Sequence, residues 1–162
     1  MTMSATIAAR TATALIPHLV VDGASAASEF YQAAFGATEE VRMPAPDGSD
    51  RLLHVSLVIS GLKLYLCDEF PEYCGGGRSE TPTALGGSGV TLHLEVADCD
   101  AAFEQAVAAG ATATMPPADC FWGDRYGQLT DPFGHKWSLA SPLSEERKAA
   151  AAAAWAEQWG GQ

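Results

Sequence analysis

Three histidines, one tyrosine and a short aromatic loop carry most of the chemistry this chain offers. His18 and His93 sit in "ALIPHLVV" and "VTLHLEV", at matching places in two stretches that read alike. Alternate strand residues share a face, so each imidazole lines one side of its sheet. Two readings of the pair are open. The imidazoles are hydrogen-bonded walls of a pocket, or they are metal ligands with His54 of "RLLHVSL" as the third donor. Three imidazoles suit zinc and leave a fourth position for water or substrate. No carboxylate is evidently placed to complete the set, although Glu95 shares the face of His93. Tyr65, central in "LKLYLCD", can donate its hydroxyl to a ligand or act as a general acid. A phenol titrating at about pH 10 is more often a pocket wall. The loop "FWGDRYG" at 121–127 sets two flat apolar surfaces, Trp122 and Tyr126, beside Arg125, a planar donor fork for carboxylate or phosphoryl oxygens. Either it rims a pocket and stacks on a ligand, or Asp124 pairs with Arg125 while Trp122 plugs a gap between two halves.

Other chemistries find little support. Cys67, Cys74, Cys99 and Cys120 have no C-x-x-C spacing and no neighbouring base, which fits free thiols in a reduced cytoplasm. No G-x-S-x-G elbow is present, and "GGGRSET" lacks the lysine of a phosphate loop. Nine Lys+Arg against twenty Asp+Glu give a net charge of −11. Nucleic acid and anionic membranes are therefore poor partners, and cationic small molecules are favoured. No stretch approaches the roughly 20 apolar residues of a membrane span, and "MTMSATIAARTATA" matches neither a signal peptide nor an anchor. A cytoplasmic protein is expected.

Those side chains need elements to hold them. A constant offset pairs His18 with His93, Leu19 with Leu94, Val21 with Val96 and Glu29 with Glu104, and dropping one residue lays 36–38 onto 110–112. Two copies are too few for a solenoid, so they read as two βα-type modules that bury their sheets against each other. Ser25 caps the first helix, with Ala27, Phe30, Tyr31 and Ala34 on one apolar face and Gly36 at its end. "TEEVRMP", "RLLHVSLVI" and "LKLYLCD" follow as strands, the last two joined at Ser60-Gly61. In the second copy Asp98 or Asp100 caps a helix with Phe103, Ala106 and Val107 inward; "TATMPP", "YGQLTD" and "KWSLAS" are its strands. Asp131-Pro132-Phe133-Gly134 reads as a type I turn with His135 exposed beside it. Ser144 caps a tail helix whose Trp155 and Trp159 share a face, to be covered by the domain's own sheet or by a second copy. The implied layout is a flexible arm at 1–14, one domain at 15–140 and a C-terminal helix at 141–162. Within the domain lie module one (15–69), a Gly/Pro-rich linker or flap (70–89) and module two (90–140).

Two tandem βαβββ modules resemble the vicinal-oxygen-chelate superfamily, which holds glyoxalase I, bleomycin-resistance proteins, fosfomycin-resistance transferases and extradiol dioxygenases. The resemblance rests on "IPHLVV…EFYQAAFGA" at 16–37, "VTLHLEVADCDAAFEQAVAAGAT" at 90–112 and above all "MPPADCFWGDRYGQLTDPFGHKWSLA" at 115–140. It implies an α+β fold whose modules form a curved mixed sheet around a pocket. In metal-dependent members a divalent ion is held there by the first and last strand of each module and polarises substrate oxygens. That pattern falls near Ile16, Tyr65, Thr91 and Ser138, where the family has His or Gln, Glu, His and Glu. A two-residue shift of the first and third substitutes His18 and His93. Isoleucine has no donor and neutral hydroxyls bind divalent ions weakly, so neither a resident metal nor another cofactor is expected.

The function expected is binding of a small, cationic or aromatic molecule between the modules, as bleomycin-resistance proteins bind a drug. The pocket residues are His18, His54, Tyr65, His93, Trp122, Arg125 and Tyr126. The alternative is a metal-dependent lyase, isomerase, transferase or dioxygenase using His18, His54 and His93. A homodimer is expected, with the modules closing within one chain or across a pair.

Overall fold

The computed structural model describes residues 12–73 and 77–159, with the backbone alone at Trp159. Most of the proposed arm, Cys74 and the side chain of Trp159 lie outside that range. The order is β1 (His18–Val21), α1 (Ala24–Phe35), β2 (Thr38–Pro44), β3 (Leu52–Ile59), β4 (Leu62–Asp68), α2 (Pro82–Leu85), β5 (Thr91–Glu95), α3 (Cys99–Ala108), β6 (Thr112–Asp119), β7 (Asp124–Thr130), β8 (Lys136–Pro142) and α4 (Glu145–Trp159). The two βαβββ modules build two four-stranded sheets of the same order, β1-β4-β3-β2 and β5-β8-β7-β6. In each, the first strand runs parallel to the last and the other pairs are antiparallel.

Apolar spacing decides which face is covered. α1 buries Ala24, Ala27, Phe30, Tyr31 and Ala34 against sheet one. α3 buries Cys99, Phe103 and Ala106 against sheet two, while Val107, expected inward, flanks that face and is exposed. Leu57, Leu66, Leu129 and Leu139 are fully buried beneath them, each contributing about 1.5–3 kcal/mol. α1 ends at Gly36, whose φ of 65° lets its N–H turn back to Gln32 O at 3.0 Å while Ala37 N reaches Tyr31 O. β1 is shorter than the run 14–21 implies: pairing begins at the Pro17 carbonyl, which accepts from Tyr65 N, because proline has no N–H to continue the ladder. The linker holds one helical turn, α2, capped by Thr81 with Pro82 at its start.

Two expected roles change. Ser25 does not cap α1. The helix starts two residues earlier than that cap implies, at Ala24; its cap position is the side-chain-less Gly23, and Ser25 Oγ accepts from Arg42. Asp68 at the end of β4 caps instead, accepting from Gly23 N (2.8 Å) and Ala24 N (2.9 Å), while its other oxygen accepts from Leu52 N (2.6 Å) at the start of β3. His135 is half-buried rather than exposed, with Nε2 3.3 Å from the Val20 carbonyl of module one.

The modules meet through α1 and α3, and a buried carboxylate joins them. Asp131 accepts from Tyr31 Oη (2.7 Å) and Trp137 Nε1 (2.9 Å) on one oxygen, and from Phe133 N and His135 N on the other. The expected turn is there, with Gly134 N donating to Asp131 O. Its first residue is also the bolt between modules. Burial, then the Asp131 carboxylate, push the Tyr31 phenol well above its ordinary pKa. Among the described residues no helix is long and apolar enough to cross a membrane.

Candidate functional site

With helices on one face of each sheet, the opposite faces carry exposed strand residues. Sheet one presents His18, His54 and Tyr65 there. The His54 and Tyr65 rings lie 4.8 Å apart, and His18 stands edge-on at 5.8 Å from His54 and 6.1 Å from Tyr65. Partial burial lowers the His18 pKa, and the neighbouring His54 lowers it further. Ser56, directly across from Tyr65, shares this face; its Oγ is buried among larger neighbours with no hydrogen-bond partner.

Sheet two presents His93, Tyr126 and Gln128. His93 Nδ1 is 2.8 Å from Ser138 Oγ, which fixes the ring and leaves Nε2 to the open side. Tyr126 stacks on His93 (6.2 Å, 20°), and its hydroxyl accepts from Gln128 Nε2 at 2.8 Å. Trp122, exposed, stands edge-on to Tyr126 at 5.5 Å. A groove of about 430 Å³ runs past His93, Glu95, Asp124 and Pro142. A second cavity of about 430 Å³ lies at the seam between modules, with apolar walls including Leu15, Ile16, Leu62, Leu92 and Trp137, and again with His93. His93 lines both.

His18 is directly beside Tyr65, and His93 directly beside Ser138. Whether the first and third places of the pattern are taken as Ile16 and Thr91 or as His18 and His93, the second and fourth are the neutral hydroxyls of Tyr65 and Ser138. This donor set does not fit the four-ligand chelate. Among the described residues no three or more His, Cys, Asp or Glu side chains gather closely enough to hold a metal ion.

Six of the seven expected pocket residues therefore form two groups on two faces. His18, His54 and Tyr65 make one; His93, Tyr126 and Trp122 make the other. Arg125 joins neither. Strand alternation turns it to the helix side, where it grips Asp100 through Nε (2.9 Å) and Nη2 (2.7 Å) and reaches Asp119 through Nη1 (3.1 Å). Its partner is not Asp124, and hydrogen bonding to the guanidinium lowers the Asp100 pKa. Trp122 is too exposed to plug the gap between modules. The residues that sequence reasoning missed, Ser56 and Gln128, sit two positions from His54 and Tyr126 respectively, a spacing that placed them on the same faces all along.

A family model described as the Glyoxalase/Bleomycin resistance protein/Dioxygenase superfamily matches residues 11–139. The uncharacterized Mycobacterium tuberculosis H37Rv protein Rv0887c is 51% identical over 140 residues, 86% of this chain and 81% of its own length. The X-ray structure of the Arabidopsis thaliana At5g48480 product superposes with a TM-score of 0.63 at 32% identity, covering 80% of this chain and 98% of that one. The crystal structure of Pseudomonas aeruginosa PA1353 gives a TM-score of 0.63 at 26% identity, covering 82% of this chain and all (100%) of that one.

Proposed function

The chain belongs to the glyoxalase/bleomycin resistance protein/dioxygenase superfamily, and on that footing we propose that it binds a planar, cationic small molecule in the groove around His93 without a resident metal. The observation that carries this reading is the groove and the rings beside it. His93, Glu95 and Asp124 line the groove, the two carboxylates supplying negative charge; Tyr126 stacks on His93 next to it, and Trp122 stands edge-on to Tyr126 as an open indole at the rim. Aromatic faces and carboxylates together favour a delocalised cation over an anion or a sugar. The net charge of −11 draws such a ligand in. Both ring nitrogens of His93 have tasks: Nδ1 is held by Ser138 and Nε2 orients the ligand.

A second copy completes the pocket in this reading. The His18–His54–Tyr65 face is the natural cover for the groove of a partner, and exposed Val41 and Met43 on one face match exposed Met115 and Trp122 on the other. Sedimentation equilibrium tests the dimer. The binding test is fluorescence titration of ethidium, a planar cation, into protein stripped of metal. Saturable binding at one site per pocket is expected, weakened about tenfold by Trp122→Ala. No binding, or binding indifferent to Trp122 and His93, contradicts the reading. The metal-dependent alternative draws on the closeness of His18 and His54, 5.8 Å between ring centres. It predicts instead that ligand binding requires added metal and is lost in His18→Ala.

A further inference from the structure

The C-terminal helix α4 lies beyond the family match, and little of it is buried. Ala151 is half-buried and its neighbours along the helix face solvent. A mostly exposed alanine-rich helix of this length is marginal unless something anchors it. Its described contacts converge on one place, the turn from β6 to β7. Leu143 N donates to Gly123 O at 2.9 Å. Arg147 grips Asp119 through Nη2 (2.6 Å) and Nε (2.9 Å). Trp155 stacks on Phe121 at 4.2 Å and 27°. The Lys148 stem closes over Gly123, where an added Cβ would stand 3.1 Å from Lys148 Cε and where φ is +109°. That turn carries Trp122, with Phe121 edge-on at 5.1 Å on one side and Tyr126 at 5.5 Å on the other. A chain of rings therefore runs from Trp155 through Phe121, Trp122 and Tyr126 to His93.

We propose that α4 is the positioning element of the ligand groove: through Trp155 and Arg147 it fixes the turn at residues 120–124 and so sets where Trp122 stands over the ligand. The inference rests on the reading of Trp122 as groove rim. Trp155 and Arg147 touch no ligand in it; they act through Phe121 and Asp119. Selectivity for ring size would then be set partly by a segment outside the two-module domain.

The test uses the full chain labelled with 5-fluorotryptophan, the Trp122 and Trp137 resonances being assigned with Trp122→Phe and Trp137→Phe. In Trp155→Ala the Trp122 fluorine signal should shift or broaden while that of the buried Trp137 stays in place. Ethidium affinity should fall about three- to tenfold, the loss expected for one stacking contact. Trp155→Phe should restore both. Arg147→Ala gives an independent perturbation of the same turn with a smaller effect. Trp122→Ala combined with Trp155→Ala should bind no worse than Trp122→Ala alone. An unmoved Trp122 signal in both Trp155→Ala and Arg147→Ala overturns the proposal. If ethidium fails to bind the unaltered protein, the groove reading falls, and the fluorine signal still decides whether α4 positions Trp122.

Discussion

Module one and module two share an order of strands but end their last strands differently. Asp68 and Ser141 occupy the same place at the ends of β4 and β8, and each reaches the start of its module's helix. Asp68 accepts from Gly23 N and Ala24 N at the start of α1, where the cap position is Gly23 and has no side chain, and its other oxygen accepts from Leu52 N at the start of β3. In module two Asp98 caps α3 itself through Ala101 N, and Ser141 only adds a bond from Cys99 N at 3.2 Å. Repeated architecture thus fixes where a polar group must stand, while the local cap residue decides how strong that group has to be.

The sites differ in the same way. His18 in module one leans on rings, at 5.8 Å from His54 and 6.1 Å from Tyr65, and carries a depressed pKa. His93 in module two is tied by a hydroxyl at 2.8 Å and stacked on Tyr126. In the proposed reading module one serves as the cover and module two as the groove.

Asp131 tests how far the modules depend on each other, and its loss should have the largest effect. Asp131→Ala leaves Tyr31 Oη and Trp137 Nε1 buried without their acceptor, so stability should fall by roughly 3–5 kcal/mol in urea denaturation. A loss under about 1 kcal/mol would mean that the modules are held by apolar packing alone. Tyr31→Phe removes one of those bonds and should cost about 1–3 kcal/mol at neutral pH. It should also flatten the alkaline limb. The Tyr31 phenol is raised in the fold, so its contribution is full below about pH 10 and is lost as pH climbs through the higher folded value.

Next in size is the pair of helix-start residues. Asp68→Ala should cost about 2–3 kcal/mol and Ser141→Ala about 1 kcal/mol, because three donors are orphaned in one case and one in the other. Equal losses would erase the distinction between modules. The smallest effect expected is on acid stability. The His18 pKa is lowered in the fold, so its contribution is present above about pH 6.5 and is lost as pH falls through the depressed value. His18→Asn should therefore flatten the fall of stability as pH drops below about 6.5, and an unchanged slope would assign the acid limb elsewhere.

Helices and strands were legible where their apolar spacing is regular: Ala27, Phe30, Tyr31 and Ala34 on α1, and alternation through β4. His18 and His93 were legible as equivalents from the repeat, but their pairing with Tyr65 and Ser138 was not. A shift of two residues keeps every side chain on its face, so face alone cannot fix a parallel register. Arg125 was misjudged because its partners, Asp100 and Asp119, lie on other elements while Asp124 is adjacent in sequence. The Asp131 hub was hidden for a similar reason. A turn signal explains the aspartate fully on local grounds and gives no hint of Tyr31, 100 residues away.

Metal content tests the central reading most directly. Untagged protein, purified without chelator and then incubated with zinc, nickel, manganese or iron(II), should carry only traces by elemental analysis, since hydroxyls stand at Tyr65 and Ser138 where the chelate needs carboxylates. Near-stoichiometric metal, lost in His18→Ala or His93→Ala, would contradict the account and turn the search to catalysis at those histidines.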